Sequence, residues 1–371
     1  MPSPRRFDPR ARLRRDPDPP APAGDFSRRG FLGVAGSASL ICALGGKPLE
    51  RVTERDVKRA DDYSARLKKP ASAGAAGVGP GDAPQPQPGG VKREYWVAAR
   101  SVKWDIVPTG RDEWMARRIG GPRSFRAFVY QQWNTGFAEP VGPASMPGPL
   151  LEGEVGDTIV VHFRNADEKL NQAVTMHPHG VRYTPNYDGS YLGDFTLAGG
   201  FIAPGEEFTY TWECTPDSVG VWPYHDHGPN HTINTMRGLF GALIVRAKGA
   251  ARPDVENVLI LHSFPPNVTG LPGLFHAING RSYAGNTPEI RASVGQDVAW
   301  HVIGGDGNFH TFHIHGHRWR DPAGTFVDTP TFGPNEVMTA RYGEDNPGRW
   351  LYHCHVFSHQ DMGMAGWYVV T

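Results

Sequence analysis

Trp350-Leu-Tyr-His-Cys-His-Val-Phe-Ser-His-Gln-Asp-Met-Gly-Met364 sets one cysteine between two histidines and follows it, at fixed intervals, with a third histidine and a methionine. An earlier stretch, Trp222-Pro-Tyr-His-Asp-His-Gly-Pro-Asn-His231 with Met236, repeats that spacing residue for residue. The repeat extends upstream: Val155-Gly-Asp-Thr, a strand and His177-Pro-His-Gly in the first half match Val294-Gly-Gln-Asp, a strand and His313-Ile-His-Gly in the second. One fold therefore occurs twice. Segments such as Glu94-Tyr-Trp-Val-Ala, Phe125-Arg-Ala-Phe-Val-Tyr130 and Thr158-Ile-Val-Val-His-Phe163 alternate or run apolar between Gly and Pro punctuation, which predicts all-β sandwiches.

The ligand chemistry follows from the same stretch. Cys354, His359 and Met364 are three of the four donors that suit an electron-transfer copper, because thiolate, imidazole and a weak axial thioether tolerate both oxidation states. The fourth must come from elsewhere, and Phe309-His-Thr-Phe-His-Ile-His-Gly-His317 offers a surplus, with His310 the candidate. Side chains alternate along a strand, so His353 and His355 point away from Cys354 and are free for another metal. Four His-x-His pairs, 177/179, 225/227, 313/315 and 353/355, supply the eight nitrogens that two three-histidine coppers and one two-histidine copper need.

These motifs, HPHG at 177, HDH at 225, HTFHIHG at 310 and HCHVFSHQDMGM at 353, resemble those of the multicopper oxidases, and within them the two-domain, laccase-like bacterial enzymes often called small laccases. The resemblance spans residues 91–371 and implies two cupredoxin-like Greek-key domains, 91–248 and 249–371. It implies four coppers per chain: a type 1 ion at His310, Cys354, His359 and Met364, a type 2 ion at His177 and His313, and a type 3 pair at His179, His225, His227, His315, His353 and His355. In the first domain Asp226 and Val174 stand where Cys354 and His310 stand in the second, so no type 1 site forms there, and His231 and Met236 are relics. The resemblance further implies O2 reduction to water, fed by small organic reductants that reach the edge of His359. It also implies a closed homotrimer whose cluster is shared between neighbouring chains.

Protons must reach reduced oxygen, and Asp188, in Asn186-Tyr-Asp-Gly-Ser190, matches the family's acidic residue beyond the first pair. Tyr183, four residues after His179, matches a tyrosine of the small-laccase pattern able to donate an electron. Asp361 and Asp226 read as orienters of histidine rings. His162, His262, His276, His301 and His317 fit no ligand position and read as structural or surface residues.

Other features bound the function. A net charge of +0 predicts no nucleic-acid partner. Three cysteines, Cys42, Cys214 and Cys354, cannot build a disulfide framework. Residues 1–46, with Asp25-Phe-Ser-Arg-Arg-Gly-Phe-Leu-Gly33 and a short apolar run, resemble a twin-arginine export signal rather than a membrane anchor, which predicts a periplasmic, envelope or extracellular protein. Within residues 47–90, residues 47–69 are charged and able to form a loose helix, and residues 70–90 are an Ala/Gly/Pro-rich flexible linker without a core. Met338, Met362 and Met364 are the only methionines of the second domain, which favours phenols and aromatic amines over cuprous ion; Glu336, Glu344 and Asp345 leave ferrous or manganous ion open. Copper nitrite reductases and non-catalytic envelope copper proteins are the rival readings, and neither needs eight paired histidines.

Overall fold

The structure, a computed structural model, describes residues 43–44, 47–48, 54–70 and 83–371. The expected export signal and residues 71–82 of the linker lie outside the described residues. Everything described belongs to one compact unit, Leu40–Thr371.

Two sandwiches of the same design follow one another. In the first, β1 (Lys92–Asp105), β2 (Ser124–Trp133), β4 (Thr158–Asn165) and β6 (Glu207–Glu213) form a sheet in the order β6-β4-β1-β2. It faces a second sheet of β3 (Leu151–Glu154), β5 (His177–Pro178), β7 (Gly220–His225) and β8 (Phe240–Arg246), ordered β3-β8-β7-β5. The second half repeats this with β9 (Val255–Phe264), β10 (Phe275–Ile278), β12 (Asp297–Gly304) and β15 (Val337–Gly343) in the order β10-β9-β12-β15. Its other sheet contains β11 (Ile290–Ala292), β13 (His310–Ile314), β14 (Thr331–Phe332), β16 (Gly348–Cys354) and β17 (Ala365–Val370), ordered β11-β17-β16-β13-β14. Even the minority parallel pairs recur: β1 with β4 and β3 with β8, then β9 with β12 and β11 with β17. The chain is thus mostly β, as the alternating apolar pattern predicts.

Each sandwich buries its own core, around Phe163, Tyr210 and Trp212 in the first and Trp300, Phe312 and Tyr352 in the second. A third apolar cluster joins them: Phe125, Val129 and Phe240 of the first domain pack on Ile260, Phe264 and Ile303 of the second. Apolar surface removed from water at about 25 cal/mol per Å² makes this a cohesive junction rather than a hinge.

In the charged segment before the sandwiches, where a loose helix is expected, the helix is anchored rather than loose. Residues Glu54–Ser64 form a helix, α1, that buries Val57 and Ser64. Its Asp61 accepts hydrogen bonds from Arg237 (3.0 and 2.7 Å), Asn230 (3.0 Å) and Gln172 (2.7 Å). Arg237 closes α2 (His231–Arg237), is 7% exposed, and has no other ion pair among the described residues. The helix also lies against α3 (Pro266–Thr269) of the second domain. Removing one partner of a buried pair strands the other charge, so Asp61→Ala is expected to lower the unfolding free energy by about 2–4 kcal/mol, less than a fully buried pair would lose. Urea unfolding checks this; an unchanged midpoint would show that α1 is only loosely attached.

Candidate metal centres

Strand register builds both histidine groups. His177 of β5 stands opposite His225 of β7, and His313 of β13 opposite His353 of β16, so the two domains present equivalent cross-strand pairs. His179, His227, His315 and His355 follow in the adjoining turns. The turns are shaped by glycine. Gly180 has φ +71° and a Cβ there would fall 2.0 Å from the Trp222 ring; Gly316 has φ +76° against Trp350. Gly180→Ala is therefore expected to cost about 2–4 kcal/mol from left-handed strain and overpacking. Chemical unfolding measures it, and a wild-type midpoint would contradict the steric argument.

Within His177, His179, His225 and His227 five ring pairs have centroids 5.1–5.9 Å apart, and within His313, His315, His353 and His355 five pairs 5.2–5.6 Å. The Nδ1–H groups of four rings are taken by backbone carbonyls. His177 donates to Asp188 O (2.7 Å), His225 to Asp226 O (2.8 Å), His313 to Asp328 O (2.9 Å) and His353 to Cys354 O (3.0 Å). Those bonds set the tautomer, leaving Nε2 with a lone pair aimed into each group. Nε2 of His179 and His225 approach to 3.0 Å, and Nε2 of His315 and His353 to 3.2 Å. His227 Nδ1 is buried without a partner. Converging lone pairs and an orphaned ring nitrogen are what a set of metal ligands leaves behind, so the donor sets fit copper. Burial, reinforced by neighbouring rings, pushes His179 down to about 4 and His353 to about 4, so both stay neutral and able to coordinate. Among the described residues no hydrogen bond or ring contact joins the first quartet to the second.

The third group is buried. Strand alternation turns His310 and Phe312 of β13 inward, Phe312 pairs with Cys354, and His313 faces the other way. His359 lies on a short helix, α4 (Phe357–Asp361). His310 Nδ1 is 3.8 Å and His359 Nδ1 3.5 Å from Cys354 Sγ. Bonds of about 2.0 Å to nitrogen and about 2.3 Å to sulfur, at trigonal angles, separate N and S by about 3.7 Å, so a first-row ion fits between them. Met364 is fully buried in the same core cluster, and its backbone bonds to both Cys354 and His359. Burial pushes the Cys354 thiol up, but bonds with His310 and His359 outweigh that and bring it down to about 6, toward the thiolate that binds metal.

Of the other sequence candidates, Asp188 and Tyr183 belong to the first quartet. Asp188 Oδ1 is 3.3 Å from His177 Nδ1, and its carboxylate also takes the Tyr183 and Ser190 hydroxyls. Burial pushes this carboxyl up, yet those partners, His177 foremost, hold it at about 2. Burial, then Asp188, raises the Tyr183 phenol to about 12. Both residues line a cavity of about 280 Å³ with Pro185, Ser190, Leu192 and Leu197. Asp226 is buried and accepts from Thr175 N (2.8 Å), Gly228 N (3.1 Å) and Asn234 Nδ2 (3.3 Å). Asp361 does not orient a ring. It is exposed at the end of α4, its carboxylate meets Gln360, and its carbonyl accepts from Arg117.

Sequence reasoning missed residues around the buried group. Asp306 accepts from His310 Nε2 at 3.2 Å, fixing the lone pair of Nδ1 toward Cys354. Burial opposes its charge, but His310 and Ser263 hold its carboxyl well below the usual range. His276, expected to stand apart, stacks on His359 with centroids 4.2 Å apart. His317 donates to His315 O and meets buried Glu344. Only the four-residue interval from Asp306 to His310 was a visible signal. His359 is 1% exposed, so its edge is not open to solvent in the single chain.

A family model described as Multicopper oxidase matches residues 143–250, and a second of the same description matches residues 252–371. The chain belongs to the multicopper oxidases. Within this family setting, it is 27% identical over 348 residues to the Mus musculus protein named Ferroxidase HEPHL1, covering 76% of this chain and 29% of that one. It is 33% identical over 248 residues to a probable nitrite reductase-hydroxylamine oxidoreductase fusion protein of Kuenenia stuttgartiensis, covering 61% and 28%. Among solved structures, the Blue Copper Oxidase from Nitrosomonas europaea aligns with a TM-score of 0.58 at 26% identity, over 75% of this chain and 86% of that one. The multicopper oxidase chain spans under a third of the length of these curated relatives. Membership of this family implies copper as the resident metal.

Proposed function

We propose that the protein is a laccase-like oxidase that couples one-electron oxidation of small phenols or aromatic amines to reduction of O2 to water. Copper bound at the two kinds of centre would accept single electrons at the buried one and reduce dioxygen at the histidine one. His310, Cys354, His359 and Met364 hold the first. His177 and His313, with His179, His225, His227, His315, His353 and His355, hold the second. Cys354 is covalently continuous with His353 and His355, so the electron-receiving ligand and two cluster ligands share one stretch of backbone. Asp188, which faces the cavity with Tyr183 and takes its hydroxyl, would take up and release protons for the oxygen chemistry of the histidine centre.

The observation that carries this reading is the pair of matched but separate quartets. Each offers four nitrogens, too few for a three-metal cluster, and they do not meet within the chain. The first domain of one copy facing the second domain of its neighbour would complete each cluster, and a closed ring, the expected homotrimer, lets every half find a partner. Export by the twin-arginine route is part of the same proposal.

Two relatives bear the names of a ferroxidase and a nitrite reductase, so both reactions belong in the test. Copper per chain and oxygen uptake are measured with a simple phenol, ferrous ion and, anaerobically, nitrite. About four coppers, an intense blue absorption and phenol-driven oxygen uptake are expected. Uptake with ferrous ion alone would move the assignment to metal oxidation. Nitrite consumption at one or two coppers would overturn it.

A further inference from the structure

The buried centre has two imidazole ligands that come from different elements, β13 and α4, and a single carboxylate reaches both. Asp306 Oδ1 accepts from His310 Nε2 (3.2 Å) and from Asn308 N (2.9 Å). Its Oδ2 accepts the Ser263 hydroxyl at 2.6 Å. A serine has one proton to give, and Asp306 takes it, so at the 2.8 Å contact with His276 Nδ1 the Ser263 oxygen is the acceptor. That makes His276 the Nδ1–H tautomer and aims its ring. The ring lies 4.2 Å from that of His359, 28° from parallel. The backbone supports the same placement: His276 N donates to Met362 O at the end of α4, and Ser282 Oγ donates to His276 O at 2.8 Å. Asp306, Ser263, His276, His310 and His359 are all buried, with Ser263 1% and His276 3% exposed.

We infer that Ser263 and His276 are positioning residues of the copper centre, which tie His359 to the same carboxylate that orients His310. Among the described residues, no hydrogen bond joins His276 to His310 or His359. It acts through His359, as a plate that fixes the rotation of that ring, while Ser263 fixes the plate. The first domain has no such device, and Val174 and Asp226 leave nothing there to position. This inference rests on the copper assignment above.

Partners outside the ligand set typically change metal affinity by about 10–100-fold when removed. Ser263→Ala and His276→Phe separate the parts: the first cuts the link at the hydroxyl, the second keeps a flat ring over His359 and removes its donor. Copper(II) is titrated into metal-free protein, with affinity, the blue band and the electron paramagnetic resonance signature recorded, and circular dichroism reporting the fold. Both variants are expected to lose about tenfold or more in affinity at the buried centre and to show an altered signature. Ser263→Thr, which keeps the hydroxyl, is expected to restore both. A folded Ser263→Ala protein with wild-type affinity and signature overturns the inference; if that variant does not fold, His276→Phe decides by the same readings. Wild-type protein that takes up copper without a blue signal removes the copper assignment itself, and this inference with it.

Discussion

Cys354→Ser protein is expected to be colourless and to consume oxygen only at the background rate, while remaining folded. The thiolate is the donor that an alcohol cannot replace: a serine hydroxyl does not ionise near neutral pH, whereas Cys354 is brought to about 6 by its two imidazole neighbours. Sγ is also the point from which both Nδ1 atoms are 3.5–3.8 Å distant, so its loss removes the corner of the donor triangle. The packing cost is small, because serine is nearly isosteric and the surrounding core of Phe312, Tyr352 and Met364 is unaltered. Absorption spectroscopy, oxygen uptake and a melting curve test the three parts together. A blue, active serine variant would sink the assignment of this centre.

The second large effect is gained rather than lost. Chains carrying His177→Ala and His179→Ala lose half of one quartet, and chains carrying His353→Ala and His355→Ala lose half of the other; each is expected to be inactive alone. Assembled together from equal amounts, the two are expected to recover about a quarter of wild-type activity, because a random ring pairs an intact first domain with an intact second domain at about one junction in four. The intact second domain brings its own Cys354, so the restored junction has its electron-receiving ligand. Activity assays on co-expressed, differently tagged chains measure the recovery. If both quartets served one cluster within a chain, mixing would restore nothing.

The histidine and cysteine groups were legible in the sequence because their geometry is local. Cys354 and its flanking histidines obey the period of a strand, and His177 and His313 begin the same four-residue turn with glycine at its end. The duplication was legible for the same reason: Trp222 and Trp350 sit at matching distances from their histidines, and each covers the glycine of its own domain's turn. What the sequence hid is long-range. Ser263 and Asp306 meet across 43 positions, and Asp61 and Arg237 across 176, so neither pairing leaves a local pattern. Asp361 departs from its expected role for a related reason. Two positions from His359 on a helix, it lies off that residue's face, since helical neighbours are three and four apart. His276 shows how a histidine outside every motif still reaches a ligand, when the strand that carries it, β10, runs beside α4.

Asp226 makes a second buried centre hard to build in the first domain. It occupies the place of the cysteine, and three donors, the Thr175 and Gly228 amides and the Asn234 side chain, now depend on its carboxylate. Asp226→Cys together with Val174→His would return two ligands but strand those donors, at about 1–3 kcal/mol for each one left buried and unpaired. Conversion by single steps thus runs uphill. The network around Asp226 bars the first domain from a buried centre of its own, an asymmetry that leaves one domain to receive electrons and both to share the oxygen chemistry we propose.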